Sequence, residues 1–61
     1  MLTREYILLY WEQDLNETLY FTYTPDGDCI ICDIETEQFY YENFRNEISY
    51  REVCKLLELI A

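Results

Sequence analysis

TLYFTYT (residues 18–24), PDGD (25–28) and CIICDI (29–34) run consecutively through the middle of the chain. Two runs of β-branched and aromatic residues flank the chain's single Pro and single Gly. That punctuation is a tight turn, and the runs on either side read as the two strands of a hairpin. Moving outward, EYILLYWE (5–12) has the same β-rich composition and is followed by the turn-forming DLNE (14–17). It predicts a first antiparallel strand. QFYYE (38–42), after ETE (35–37), predicts a short fourth strand, with a bulged continuation of the third as the alternative.

The C-terminal third changes character. Ser49, Tyr50, Arg51 and Glu52 fit a capping box, and Ile48 with Val53 fits a hydrophobic staple. A helix over residues 50–60 follows, with Val53, Leu56, Leu57 and Ile60 as its apolar stripe. The expected fold class is therefore α+β: a three- to four-stranded antiparallel meander with one C-terminal helix on one face, all in a single domain of residues 1–61. Period-two alternation places Ile7, Leu9 and Trp11, with Leu19, Phe21 and Tyr23, on the helix-covered side. It places Tyr6, Leu8 and Tyr10, with Thr18, Tyr20 and Thr22, on the open side. One helix of about 16 Å cannot cover two faces, so Tyr6, Tyr10 and Tyr20 are expected to meet a binding target, with a homodimer seam as the alternative.

At 61 residues there is room for one core only. Hydrophobic residues make up 51% and aromatics 18%, too many for a disordered acidic tail, so the chain is expected to fold. The segment Met1–Glu5 lacks a basic leader, and no run approaches the roughly 20 apolar residues of a membrane span. A cytoplasmic location is the expectation, and three cysteines, Cys29, Cys32 and Cys54, agree with a reducing compartment.

Catalysis fits poorly. Without a single His, the chain has no ordinary general base near neutral pH and no imidazole to activate a Cys or Ser. Cys29 and Cys32 have CxxC spacing, yet residues three apart on a strand face opposite ways, so they are not expected to hold one metal. Asp26-Gly27-Asp28 lacks the oxygen-ligand pattern of an EF-hand and reads as the hairpin turn. Neither a metal nor a cofactor is expected.

The charge pattern carries the functional reading. Thirteen acids against four bases give −9, and between Glu5 and Phe44 there are ten acids and no base. Such a segment repels nucleic acid and anionic membranes and draws in basic surfaces. Carboxylates spaced along hairpins among aromatics imitate a row of phosphates. The expected contact residues are Asp26, Asp28, Asp33, Glu35 and Glu37, the last three sharing a face if the strand continues, together with Tyr6, Tyr10 and Tyr20.

In size, acidity and Tyr content the chain resembles the DNA-mimic inhibitors that phages and mobile elements direct against restriction enzymes, CRISPR effectors and uracil-DNA glycosylase. The acidic, aromatic-rich immunity proteins of bacterial nucleases are similar for the same physical reason. The likeness is compositional, and no family's residues carry over. It implies a non-enzymatic inhibitor whose partner is a basic nucleic-acid-binding protein or nuclease. An immunity or antitoxin protein, or a small structural or regulatory subunit, is the alternative.

Overall fold

Thr3 opens the first element. Its hydroxyl oxygen accepts a hydrogen bond from the Tyr6 backbone N–H at 3.1 Å, satisfying one of the free donors at a helix start. Residues Arg4–Tyr10 then form helix α1. The computed structural model describes residues 2–42 and 46–59. After α1 come β1 (Glu12–Gln13), β2 (Leu19–Tyr23), β3 (Cys29–Asp33), β4 (Gln38–Tyr41), β5 (Glu47–Ile48) and helix α2 (Tyr50–Leu56). The five strands make one antiparallel sheet in the order β1-β2-β3-β4-β5. The α+β meander with a C-terminal helix is therefore present, with five strands in place of three or four.

The expected first strand over residues 5–12 is not formed. A continuous apolar run such as Tyr6–Trp11 has no period that separates helix from strand. Two local features decide it: the Thr3 cap, and the spacing of Ile7 and Trp11, which are both buried and four residues apart. Leu9, which period-two alternation would bury between them, is 75% exposed. Only Glu12–Gln13 remains to pair with β2.

The phase of β2 is also the reverse of expectation. Tyr20 pairs with Cys32 and Thr22 with Ile30. Ile30 and Cys32 are almost wholly buried, and both belong to the core beneath the helices. Leu19, Phe21 and Tyr23 consequently point to the open side. All five β2 residues have apolar or aromatic character or a methyl group, so either register of faces is chemically acceptable. The β3 residues Ile30, Cys32 and Ile34 settle it by turning together into the core.

The core is a single layer between sheet and helices. Ile30, Cys32, Phe39 and Ile48 from the strands meet Leu2, Ile7 and Trp11 from the N-terminal segment and Val53 and Cys54 from α2. Trp11 stands edge-on to Phe39 with ring centroids 6.0 Å apart. Fully burying a residue such as Ile30 or Val53 contributes roughly 1.5–3 kcal/mol each. The Tyr50 hydroxyl donates to the Leu2 carbonyl, tying α2 to the N-terminal segment.

Helix α2 starts as its capping box implies. The Ser49 hydroxyl oxygen accepts from the Glu52 N–H at 3.1 Å, and Ile48 and Val53 are both buried. It ends at Leu56, earlier than the expected residue 60. Glu58 adopts a left-handed conformation (φ 58°) and the Leu59 N–H bonds back to the Cys54 carbonyl at 2.8 Å, which closes the helix. Ile60, expected on the apolar stripe, lies outside the described residues. Among the described residues no helix is long and apolar enough to cross a membrane.

Candidate protein-binding surface

Both helices lie on one side of the sheet, and among the described residues the other side has no covering layer. Strand register places Glu12, Phe21, Ile31, Tyr40 and Glu47 in one row across all five strands of that open face. Neighbouring strands are about 4.8 Å apart, so the row is roughly 19 Å long, with a carboxylate at each end and three apolar or aromatic residues between. Ile31 is buried by its neighbours, and Phe21 and Tyr40 are half-buried. Beside this row run Leu19, Asp33 and Gln38 on one flank and Tyr23 and Cys29 on the other. Phe21 and Tyr23 meet edge to face at 6.0 Å, and the Tyr40 hydroxyl donates to Gln38 Oε1 at 2.6 Å. These contacts hold the aromatic row in place.

Charge is divided between the two layers. Helices α1 and α2 with their flanks carry Arg4, Arg51 and Lys55 against Glu5, Glu52 and Glu58, which cancel. The remaining ten acids, from Glu12 to Glu47, lie in the sheet and its connections; between those two positions the sequence has one base, Arg45, which is outside the described residues. The local field registers on the open-face thiol. Burial pushes the Cys29 thiol up from its ordinary value, and Glu42 and Asp14 push it further.

Cys32, on the helix side of the same strand, is pushed up to about 11 by burial, with Asp33 and Glu37 adding to the effect and Arg4 opposing it. A thiol protonated at neutral pH is a poor nucleophile. Together the two cysteines occupy opposite faces of β3, as strand geometry requires. Among the described residues no group of three or more Cys, Asp or Glu is placed to hold a metal ion.

The eight expected contact residues are scattered. Asp26 and Asp28 sit at the β2–β3 turn, where Gly27 takes φ 95° and the Thr24 hydroxyl oxygen accepts from the Asp28 N–H at 3.0 Å. Glu35 and Glu37 sit at the other end of β3, in the β3–β4 turn. The strand does not continue through them: it stops at Asp33, whose carboxylate accepts from the Glu35 N–H at 3.0 Å, and Glu37 turns left-handed at φ 60°. Asp33 alone of the five reaches the open face. Tyr6 and Tyr10 stack on α1 at 4.8 Å, and Tyr20 packs against the core, so the expected trio of tyrosines on the open face is not formed.

The residues on that face that sequence reasoning passed over are Glu12, Phe21, Ile31, Tyr40 and Glu47. The alternation of Ile30, Cys32 and Ile34, had it been used to phase β2 and β4, would have pointed to them. Both outer strands are only two residues long, which leaves little edge for another strand to join. Comparison with known proteins finds no matching family model, no similar curated protein and no matching solved structure.

Proposed function

We propose that the chain is a small acidic inhibitor that docks the open face of its sheet onto the basic nucleic-acid-binding surface of another protein, in the manner of a DNA mimic. The observation that carries this reading is the division of charge: the helices are neutral as a layer, while the other ten carboxylates belong to the sheet and its connections, with Glu12, Asp33 and Glu47 on the face of the uncovered aromatic row. A layer kept acidic throughout opposes its own folding by self-repulsion, which is accounted for if the carboxylates serve a partner.

The density of charge agrees. The chain has thirteen acids and four bases, a net charge of −9, and the described residues extend 31 Å along the longest axis. That is about one net negative charge per 3 Å, close to the roughly 3.4 Å spacing along one strand of duplex DNA. Phe21, Ile31 and Tyr40 add a desolvated centre of the kind that anchors protein interfaces, with the carboxylates as a polar rim.

The test is displacement of a fluorescent DNA duplex from a panel of basic nucleic-acid enzymes, comprising a restriction nuclease, a CRISPR effector and uracil-DNA glycosylase. The expected result is displacement from at least one of them, with an association rate that falls steeply with salt. Phe21→Ser should weaken that interaction by about 2 kcal/mol or more. Failure to displace DNA from any member, or a complex that forms equally well with DNA already bound, contradicts the proposal.

A further inference from the structure

A cavity of about 140 Å³ lies on the helix side of the sheet, lined by Tyr6 and Tyr10 of α1, Trp11 at its C-cap, Thr22 of β2, and Leu57 and Leu59 where α2 ends. Thr22 belongs to that side because it pairs with the buried Ile30. Helical spacing brings Tyr6 and Tyr10 together, their ring centroids 4.8 Å apart and their planes tilted by 42°. Trp11 is buried, and its ring stands edge-on to Phe39. Half of the lining residues are thus aromatic, and none is charged.

We propose that this cavity is an aromatic cage for a quaternary ammonium group, the trimethylammonium end of a small organic cation. Ring faces carry the negative part of the aromatic quadrupole, so walls of Tyr and Trp favour a cation over a neutral or anionic group. The net charge of −9 acts in the same sense, concentrating cations near the chain and repelling anions. Among cations, a primary ammonium such as that of Lys is a strongly hydrated point charge with three hydrogen-bond donors. A cavity walled by rings and leucines replaces that hydration poorly. A quaternary ammonium donates no hydrogen bond, and its methyl groups suit the apolar walls formed by Leu57 and Leu59. Size points the same way, because the volume is well below the roughly 300–1,000 Å³ of pockets that enclose drug-sized ligands. It admits the head of such a cation and little more.

Trp11 is the chain's one tryptophan, so its emission, excited where tyrosine does not absorb, reports on the cavity. The full chain would be titrated with choline chloride, with sodium chloride at matched ionic strength, and with the neutral isostere of choline in which a tert-butyl group replaces trimethylammonium. The expected result is a saturable response to choline with a Kd of about 1 mM or tighter, binding of the isostere at least about tenfold weaker, and no response to sodium chloride. Tyr10 is 70% exposed, so Tyr10→Leu should keep the fold by circular dichroism while weakening choline binding at least about fivefold. Tyr10→Phe, which keeps the ring, should bind as the wild type does. Cosedimentation with phosphatidylcholine vesicles that choline competes away would support the same site and assign the group to a lipid headgroup; its absence leaves the free cation as the source. No saturable response up to about 10 mM choline overturns the proposal. So does equal binding of the isostere, or a folded Tyr10→Leu protein that binds choline undiminished. The outcome is separable from the proposed inhibition, because Tyr10→Leu leaves the sheet face intact and should still displace DNA.

Discussion

The two sides of β3 have the same strand, the same hairpins and nearly the same residues, yet they do different work. Ile30 and Cys32 face the helices and build the core, while Ile31 and Cys29, their immediate neighbours, face the uncovered side among carboxylates. The helix side has its apolar atoms enclosed by two helices and its formal charge cancelled. The open side has an aromatic row held by neighbours within the sheet, with Glu12, Asp33 and Glu47 as its acids. Fold stability should therefore reside on one side and recognition on the other, and substitutions on adjacent residues should separate the two.

The largest expected effect is at the pair Ile30 and Ile31. Ile30→Ala removes a wholly buried side chain from the core and should cost about 4 kcal/mol, enough to unfold most of a chain this small. Ile31→Ala opens only the gap between Phe21 and Tyr40 and should cost about 2 kcal/mol. Urea denaturation followed by circular dichroism measures both. Equal costs would mean that the open side is as enclosed as the core.

The thiols sharpen the same contrast through pH. Because burial raises the folded-state value of Cys32 to about 11 from an ordinary value of 9.0, its contribution is fully present below pH 9. As pH rises from there toward 11, the unfolded chain ionises first and that contribution is lost. The loss should be about 2 kcal/mol, and Cys32→Val should remove that part of the alkaline decline. Cys29 shifts in the same direction, so Cys29→Val should also flatten the decline, but by less. An alkaline unfolding profile unchanged by Cys32→Val would contradict the enclosed environment assigned to the helix side.

Much of the architecture is legible in the amino-acid order, and the part that is not has a physical reason. The Pro25–Asp28 turn and the β-rich runs beside it do form a hairpin, and Gln38–Tyr41 forms a separate strand. The helix after Ser49 begins where its cap indicates. Helix α1 has the same device, a Thr3 hydroxyl on the third amide, but it lies before an unbroken apolar run whose composition favours a strand. Thr3→Ala and Ser49→Ala should each lower stability by about 1 kcal/mol in thermal melts. No loss from Thr3→Ala would show that tertiary contacts alone hold α1 helical.

For the candidate surface, acidity was legible and position was not. A cluster of Asp33, Glu35 and Glu37 requires β3 to run on, and the left-handed Glu37 shows that it turns instead. The open face depends on the phase of β2, which its own residues leave undetermined. Left-handed conformations outside glycine also give the smallest expected effect. Glu37→Gly and Glu58→Gly should each stabilise the chain by about 0.5–1 kcal/mol in the same melts by relieving backbone strain. Destabilisation by either would mean that its side chain makes a contact worth more than the strain.

If recognition belongs to the uncovered side of the sheet, amide chemical-shift mapping locates it there. The ¹⁵N-labelled chain would be titrated with a lysine-rich peptide as a minimal basic surface at low and physiological salt. Salt-sensitive shifts should centre on Glu12, Phe21, Ile31, Asp33, Tyr40 and Glu47, with little change in Arg4–Tyr10 and Tyr50–Leu56. Shifts concentrated on the two helices, with the sheet row silent, would contradict it.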